Sequence, residues 1–238
     1  MKVAIMQPYL FPYIGYWQLI KAVDVFVIYD DVNYIKGGWI NRNAILENGK
    51  RKIITLETRG ASQNKLINQI LVGNNKESLI KTLTQNYQRA PYFKPVMGIL
   101  LDLFRNDEKN LAKFITCTIF NICSYLLIDT KLLICSEVFN NLSLKGVDRI
   151  VNICKQLGAD AYINAIGGIK MYDKSTFAKQ DLLLYFIESN PIEYIQFGKA
   201  PFVPNLSIID VMMFNSPEVI QRFLENYRLD KGSSNLIN

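Results

Sequence analysis

The spacing of hydrophobic and polar positions predicts a strand, a helix and a second strand at the start of the chain. Residues 2–7 and 24–32 are apolar runs rich in β-branched residues, and polar or turn-forming residues follow each of them. Between them, residues 15–23 place their large apolar side chains near one face of a helix. We therefore expect a β-loop-α-β unit. If its strands are parallel, the crossover should be right-handed, as in Rossmann-like sheets.

The middle of the chain changes from a strand pattern to a helix pattern. Residues 39–59 predict a hairpin around the turn Glu47-Asn48-Gly49, and a short strand follows near residues 70–72. From residue 76 to about residue 128 the apolar positions recur with a helical period. The prolines of "PYFKP" prevent one continuous helix there. This region is predicted to be a largely helical sub-region.

The last part of the chain alternates between strands and helices again. Helices are predicted at residues 145–159, with Gly158 as the C-terminal cap, and at 207–227, with a break near Pro217. Strands are predicted at residues 131–138, 161–165, 182–188 and 194–197. We therefore predict one α/β domain over residues 1–230: a Rossmann-like sheet flanked by helices, with a helical insertion in the middle third. Residues 231–238 are predicted to form a disordered tail.

Composition and charge favour a small anionic ligand. The chain has 238 residues, half of them hydrophobic, and a net charge of +6. The basic residues are dispersed, which favours nucleotides or nucleotide-sugars over nucleic acid. No apolar run reaches the roughly 20 residues that span a bilayer. The first apolar run breaks at Gln7-Pro8 without a cleavage site, so we expect a cytoplasmic protein with no integral membrane segment.

The chain contains no histidine and four cysteines. Without histidine, Ser-His-Asp and Cys-His nucleophile pairs and His-ligated zinc are excluded. A general acid or base must then be Asp, Glu, Lys, Tyr or Cys. The cysteines lie in apolar segments and form no Cys-x-x-Cys pair, so we expect buried free thiols and no metal site.

Aromatic and amide side chains follow the first predicted strand, where a ligand of a parallel sheet would bind. The aromatic faces of this opening loop suit a base or a sugar, and Gly15 adjoins the start of a helix. The alternative is that the rings plug the end of the core. The predicted substrate-binding residues of this loop are Gln7, Tyr9, Phe11 and Tyr13.

Two carboxylates, Asp30 and Asp31, end the second predicted strand. Neighbouring strand residues point to opposite faces, so only one of the two can enter a given site, where we expect it to be the general base. The polar residues after them suit clamps on anionic oxygen. The alternative is a solvated loop whose aspartates cap turns. The predicted substrate-binding residues here are Asn33, Lys36, Trp39, Asn41 and Arg42.

Two later segments complete the predicted site. Asn86 and Arg89 share one face of a predicted helix. Asn164 ends a predicted strand, and Lys170 and Tyr172 follow a Gly-Gly pair that permits close backbone approach. In the closing helical segment, Ser207 and Asp210 have the spacing of an N-cap and its acidic partner. We therefore expect Asp210 to be structural.

Five of these segments together resemble the WbqC-like family of bacterial proteins. They are "MQPYLFPYIGYWQLI", "DDVNYIKGGWINRN", "NYQRAPYF", "YINAIGGIKMYD" and "PNLSIIDVMMFN". The resemblance implies a role in O-antigen or other surface-polysaccharide biosynthesis, and some members are named as glycine or aminoacyl transferases acting on amino sugars. Members often begin with His-Gln-Pro, whereas Met6 stands at the histidine position here, so no role of that histidine carries over.

The resemblance and the site chemistry lead us to expect a transferase. It would acylate the amino group of a nucleotide-linked amino sugar with an amino acid such as glycine. The aspartate base would deprotonate the ammonium, and Lys36, Arg42 and Arg89 would hold pyrophosphate.

The acyl donor is expected to be pre-activated, for which an acyl-carrier protein is the candidate partner, or to be activated with ATP. Residues 170–175 loosely resemble the lysine loop of adenylate-forming enzymes. The alternatives are a non-catalytic nucleotide-sugar-binding protein of the same pathway and an ATP-dependent amide-forming ligase.

Overall fold

The computed structural model describes residues 1–198 and 201–230. The strands are β1 (Lys2–Met6), β2 (Val25–Ile28), β3 (Arg42–Glu47), β4 (Lys50–Thr55), β5 (Thr58–Arg59), β6 (Leu71–Val72), β7 (Lys131–Ile134), β8 (Ala161–Ala165), β9 (Leu183–Ser189) and β10 (Tyr227–Asp230). The helices are α1 (Ile14–Lys21), α2 (Lys76–Tyr87), α3 (Phe93–Arg105), α4 (Leu111–Tyr125), α5 (Cys135–Val138), α6 (Gly146–Leu157), α7 (Lys174–Ala178), α8 (Ile208–Phe214) and α9 (Pro217–Glu225).

Six strands form a mostly parallel central sheet in the order β10-β9-β8-β1-β2-β7. β9, β8, β1, β2 and β7 are parallel, and β10 is antiparallel to β9. β3 with β4, and β5 with β6, form separate two-stranded pairs. Along the chain, β2 and β7 are added on one side of β1, and β8 and β9 are added on its other side. The direction of addition therefore reverses between β1 and β8. This reversal leaves a crevice at the carboxyl edge of the sheet.

Alternating strand residues pack against helices on both faces of the sheet. In β2, Phe26 and Ile28 belong to one hydrophobic core, and Val25 and Val27 belong to the other. The first core includes residues of α1 to α4, α8 and α9, and the second includes residues of α5 to α7. The predicted α/β class, with helices flanking a sheet, is confirmed.

Most of the predicted elements are present. β1, α1 and β2 form the expected β-α-β unit with parallel strands. The hairpin of β3 and β4 turns at Asn48 (φ 51°) and Gly49 (φ 73°), a left-handed pair that two-residue hairpins favour. Gly158 caps α6 at φ 68°. Residues 76–125 contain three helices, as the periodicity predicts.

Three predictions differ from the structure. Residues 135–138 form a helical turn rather than the end of a strand, because the backbone N–H of Ser136 donates to the carboxylate of Asp30. Residues 194–197 form no strand, because Tyr194 and Gln196 donate side-chain hydrogen bonds to Asp210. β10 was missed, because a four-residue strand depends on pairing with the distant β9. The tail predicted at 231–238 lies outside the described residues.

None of the described helices is both long enough and apolar enough to cross a membrane.

Candidate functional site

Two adjoining cavities lie at the carboxyl edge of the sheet. The large cavity, of about 750 Å³, lies at the ends of β8 and β9 and the start of α1. The aromatic cavity, of about 350 Å³, lies between the opening loop and the β3–β4 hairpin. Tyr13 and Asn205 line both, so the two form one cleft. Both volumes fall in the range of small-molecule sites, and the cleft lies where parallel sheets bind ligands.

Hydrogen bonds from distant residues fix the opening loop that forms one wall of this cleft. Asn43 donates from Nδ2 to the carbonyl oxygens of Leu10 and Phe11, at 3.1 and 2.9 Å. Ser207 Oγ also donates to the Phe11 carbonyl, at 2.7 Å. Trp17 Nε1 donates to the Pro12 carbonyl at 3.0 Å. The loop is therefore a fixed wall.

The two rings at positions 11 and 13 have different environments. Phe11 has φ +44°, is fully buried and packs against Phe104, with ring centroids 5.9 Å apart. Tyr13 is 41% exposed and lines both cavities. The predicted substrate contact at Phe11 is therefore corrected, because the Phe11 ring is part of the core. Tyr9 and Tyr13 remain candidates for ligand contact.

Aromatic faces and one cation line the aromatic cavity. Tyr9, Tyr13 and Trp39 contribute the rings, and Arg51 contributes the charge. The guanidinium carbons of Arg42 and Arg51 each lie 5.4 Å from the centroid of the Trp39 ring. Burial raises the pKa of Tyr9 and of Tyr13, so both phenols remain protonated hydrogen-bond donors at neutral pH.

Carboxylates rather than cations line the large cavity. Its lining includes Glu188 and Glu193, and no Lys or Arg of the described residues lines it. Glu188 Oε2 accepts from Arg228 Nε at 2.8 Å, and Arg228 Nη2 lies 2.6 Å from the same oxygen. Tyr194, Ser189 and Asn190 add polar groups to the wall. A carboxylate-lined cavity thus adjoins an aromatic cavity that carries a cation.

A buried carboxylate supports the wall of the large cavity. Asp210 is fully buried and accepts hydrogen bonds from Tyr87 (2.7 Å), Tyr194 (2.6 Å) and Gln196 (2.8 Å). Burial raises the pKa of Asp210, and the three hydrogen bonds partly oppose that rise. Ser207 caps α8 as predicted. The Asp210 carboxylate does not complete the cap but fixes two side chains of the segment between β9 and α8, Tyr194 and Gln196.

Asp30 and Asp31 do not line the cleft. Asp30 accepts from the backbone N–H and the Oγ of Ser136, at 3.0 and 2.6 Å. Asp31 accepts from Arg149 Nη2 at 2.6 Å, and both side chains of this pair are buried. Both aspartates follow the end of β2, outside the strand, and their carboxylates have separate partners. Asp31 borders a separate cavity of about 400 Å³ near the ends of β2 and β7.

The polar residues of the segment after β2 mostly support the loop itself. Asn41 is buried and accepts from the Tyr34 hydroxyl at 2.8 Å. Arg42 Nε donates to the Gly38 carbonyl at 2.9 Å. Asn33 donates to a backbone carbonyl at 2.9 Å, and Lys36 is exposed. Of this predicted group, only Trp39 lines the cleft.

The remaining predicted residues occupy other places. Gln7 lies beside the opening loop, where its Oε1 is 3.5 Å from the Tyr9 hydroxyl. Asn86 and Arg89 line a third cavity of about 300 Å³ together with Gln196.

Asn164, Lys170 and Tyr172 do not line the cleft, although Ile166, directly after β8, does. Asn164 is buried and accepts from the next backbone N–H at 2.8 Å. Tyr172 packs edge-on against Tyr162 and Phe177, and Lys170 is exposed.

Sequence reasoning missed Arg51 and Glu188. Arg51 lies in β4, and only the fold of the hairpin brings it to Trp39. Glu188 ends the strand predicted at residues 182–188, so the rule applied to the first two strands could have found it.

The cysteines are free thiols in the structure, and three of the four are buried. Burial raises the pKa of Cys123 and of Cys154 to about 12, and it also raises the pKa of Cys135. These three are therefore protonated at neutral pH and poor nucleophiles. Within residues 1–198 and 201–230, no group of three or more Cys, Asp or Glu side chains is placed to hold a metal ion.

The fold and the cleft define an α/β protein with a ligand-sized site at the carboxyl edge of a mostly parallel sheet. The chain belongs to the WbqC-like protein family, whose sequence model matches residues 7–222. It is 28% identical over 218 residues to the uncharacterized protein Rv1507c of Mycobacterium tuberculosis, covering 90% of this chain and 93% of that protein. The search of solved structures found no match.

Proposed function

We propose that this protein is a transferase of bacterial O-antigen or other surface-polysaccharide biosynthesis. It acylates the amino group of a nucleotide-linked amino sugar with an amino acid such as glycine. The strand order supports treating the sheet as Rossmann-like, with the segment between β2 and β7 as an insertion that contains α2 to α4.

The different charged groups that line the two adjoining cavities carry this proposal. A nucleotide-linked amino sugar has an aromatic base, anionic phosphates and a cationic amine. The rings of Tyr9, Tyr13 and Trp39 suit the base, and Arg51 suits a phosphate. The carboxylates of the large cavity suit the ammonium. The aromatic cavity thus suits the base and the phosphates of such a substrate, and the large cavity suits its amine.

The buried thiols support direct transfer of the acyl group. Three of the four cysteines are poor nucleophiles, and the chain contains no histidine to activate the fourth. The amine therefore attacks an activated acyl donor without a covalent acyl-enzyme. A thioester on an acyl-carrier protein is the favoured donor, and an acyl-adenylate made with ATP is the other.

The first experiment measures binding by calorimetry with nucleoside diphosphates linked to amino sugars. Wild-type protein should bind at least one of them. Tyr13→Ala should weaken binding by about 1–3 kcal/mol if Tyr13 stacks on the base. Phe120→Ala is the matched control, because Phe120 has a similar exposure, 44% against 41%, and lies outside the cleft. Equal affinities of wild type and Tyr13→Ala would remove this site from the proposal.

The second experiment measures the reaction. The protein is incubated with the bound nucleotide-sugar and either glycine with ATP or a glycyl thioester of a carrier protein. A product heavier by one glycyl unit is expected with the thioester, and AMP release would instead identify the ligase reaction. Binding without product from either donor would favour the non-catalytic nucleotide-sugar-binding protein.

A further inference from the structure

We propose that Glu188 holds the ammonium group of the amino sugar and takes its proton before acyl transfer. This inference rests on the proposed function and names the residue that performs its first chemical step. The sequence places a base at Asp30 or Asp31, whereas the geometry of the cleft points to the carboxyl end of β9.

Arg228 contacts only one of the two carboxylate oxygens of Glu188. Glu188 and Arg228 are directly opposite each other in the antiparallel pair of β9 and β10. Both guanidinium contacts, at 2.8 and 2.6 Å, go to Oε2. No described residue donates a hydrogen bond to Oε1. The carboxylate is thus oriented by Arg228, retains a free acceptor, and lines the large cavity.

The charges around Glu188 favour an ammonium as its ligand. A charge-assisted hydrogen bond to a carboxylate oxygen is stronger than a neutral one. Arg228 contacts Oε2 only, and of the described residues no Lys or Arg lines the large cavity, so no lining cation contacts Oε1. The Arg228 side chain is 69% exposed and approaches the carboxylate from the neighbouring strand.

The other carboxylates are less suited to this role. Asp30 accepts hydrogen bonds from Ser136 and Asn68, and Asp31 is buried beside Arg149, although its Oδ1 has no hydrogen-bond partner among the described residues. Neither of them lines the cleft. Glu193 lines the large cavity, but no described residue orients its carboxylate, so it is not pre-organised as Glu188 is.

The proposed step balances as follows. Oε1 of Glu188 takes one proton from the sugar ammonium, which leaves a neutral amine with a free electron pair. That pair forms the N–C bond to the acyl carbon of the thioester. The C–S bond then breaks, the sulfur leaves with its electron pair, and it takes the second amine proton as a thiol. Glu188 releases its proton to solvent.

The binding test compares an amino-sugar nucleotide with its counterpart in which a hydroxyl replaces the amine. Wild-type protein should bind the amine more tightly. Glu188→Gln keeps the size of the side chain but removes its charge, so it should weaken binding of the amine by about 10-fold or more and leave binding of the hydroxyl compound unchanged. Glu225→Gln, an exposed residue outside the cleft, is the control.

The kinetic test uses the glycyl thioester. Glu188→Gln should lower kcat by about 100-fold or more. Glu188→Asp, which keeps the charge, should retain part of the activity. Circular dichroism of each variant shows that it is folded.

The outcomes separate this inference from the proposed function. A wild-type protein that binds no nucleotide-linked amino sugar would overturn the proposed function and, with it, the role of Glu188. A wild-type preference for the amine that survives in Glu188→Gln would overturn only the role of Glu188. Loss of that preference in Glu193→Gln or Asp31→Asn instead would move the ammonium site to that carboxylate.

Discussion

At the residue scale, three buried aspartates show how this chain accommodates carboxylates in its interior. Asp30 is held by hydroxyl and backbone donors, Asp31 by a guanidinium, and Asp210 by two phenols and an amide. A buried carboxylate without such partners would be strongly destabilising. The type of partner then decides how each responds to mutation and to pH.

Removal of one partner of the Asp31–Arg149 pair should have a large effect on stability. Arg149 has two further contacts. Its Nε donates to Asn141 at 2.8 Å, and its guanidinium lies 4.8 Å from the Tyr29 ring centroid. Arg149→Met should lower the free energy of unfolding by about 3–5 kcal/mol, because it leaves a buried charge unpaired. Urea denaturation at neutral pH measures this, with the exposed Arg105→Met as control.

Adding Asp31→Asn to Arg149→Met should recover part of the loss, since the unpaired charge is then absent. A double variant less stable than Arg149→Met alone would contradict this account of the pair.

Asp210 predicts a pH dependence of stability. Its pKa is raised in the folded protein, so the folded state binds this proton more tightly than the unfolded chain does. The contribution of the group to stability is therefore fully present below the unfolded pKa of about 4, and is lost as the pH rises through the raised folded pKa. Asp210→Asn should show a smaller decline of the unfolding free energy over that range. The exposed Asp102→Asn should behave as wild type, and equal slopes for all three proteins would contradict the prediction.

At the element scale, the aromatic residues of the opening loop divide between the core and the wall of the cleft. Phe11 packs in the core, whereas Tyr9 and Tyr13 line the cleft. Phe11 is buried and Tyr13 is exposed, although only Pro12 separates them. The positive φ at Phe11 turns its ring toward Phe104 and leaves Tyr13 at the start of α1.

This difference predicts opposite results for two neighbouring substitutions. Phe11→Ala should lower the free energy of unfolding by about 3–5 kcal/mol, because it empties a packed position in the core. Tyr13→Ala should change that free energy by less than about 1 kcal/mol, as a surface substitution, while weakening ligand binding. Urea denaturation and calorimetry of both variants check this, and a Tyr13→Ala protein as unstable as Phe11→Ala would contradict it.

At the scale of the whole molecule, the middle helices and the sheet share one hydrophobic core. Leu83 of α2, Leu100 of α3 and Phe114 of α4 belong to the same cluster as Ala4 of β1 and Phe26 of β2. A separate fold for residues 76–128 would need its own core. The chain is therefore expected to behave as one domain.

A single cooperative unfolding transition is the predicted consequence. The chain has two tryptophans, of which Trp17 is fully buried and Trp39 is 40% exposed. In Trp39→Phe, fluorescence reports only on Trp17 beside the sheet, whereas far-ultraviolet circular dichroism reports on all helices. The two urea midpoints should coincide. Separate midpoints would indicate that the middle helices unfold independently.

The sequence by itself determined the local structure and the limits of the chemistry. Hydrophobic periodicity predicted β1, α1, β2, the hairpin and α2 to α4, because side-chain period and turn residues act over a few positions. The absence of histidine excluded whole classes of catalytic site. Only the tertiary structure decided which polar residues share the cleft. Asn43 and Ser207, 32 and 196 residues from Phe11, fix the loop by hydrogen bonds. Arg51 reaches Trp39 through the pairing of β4 with β3, and such a contact leaves no periodic signal in the sequence.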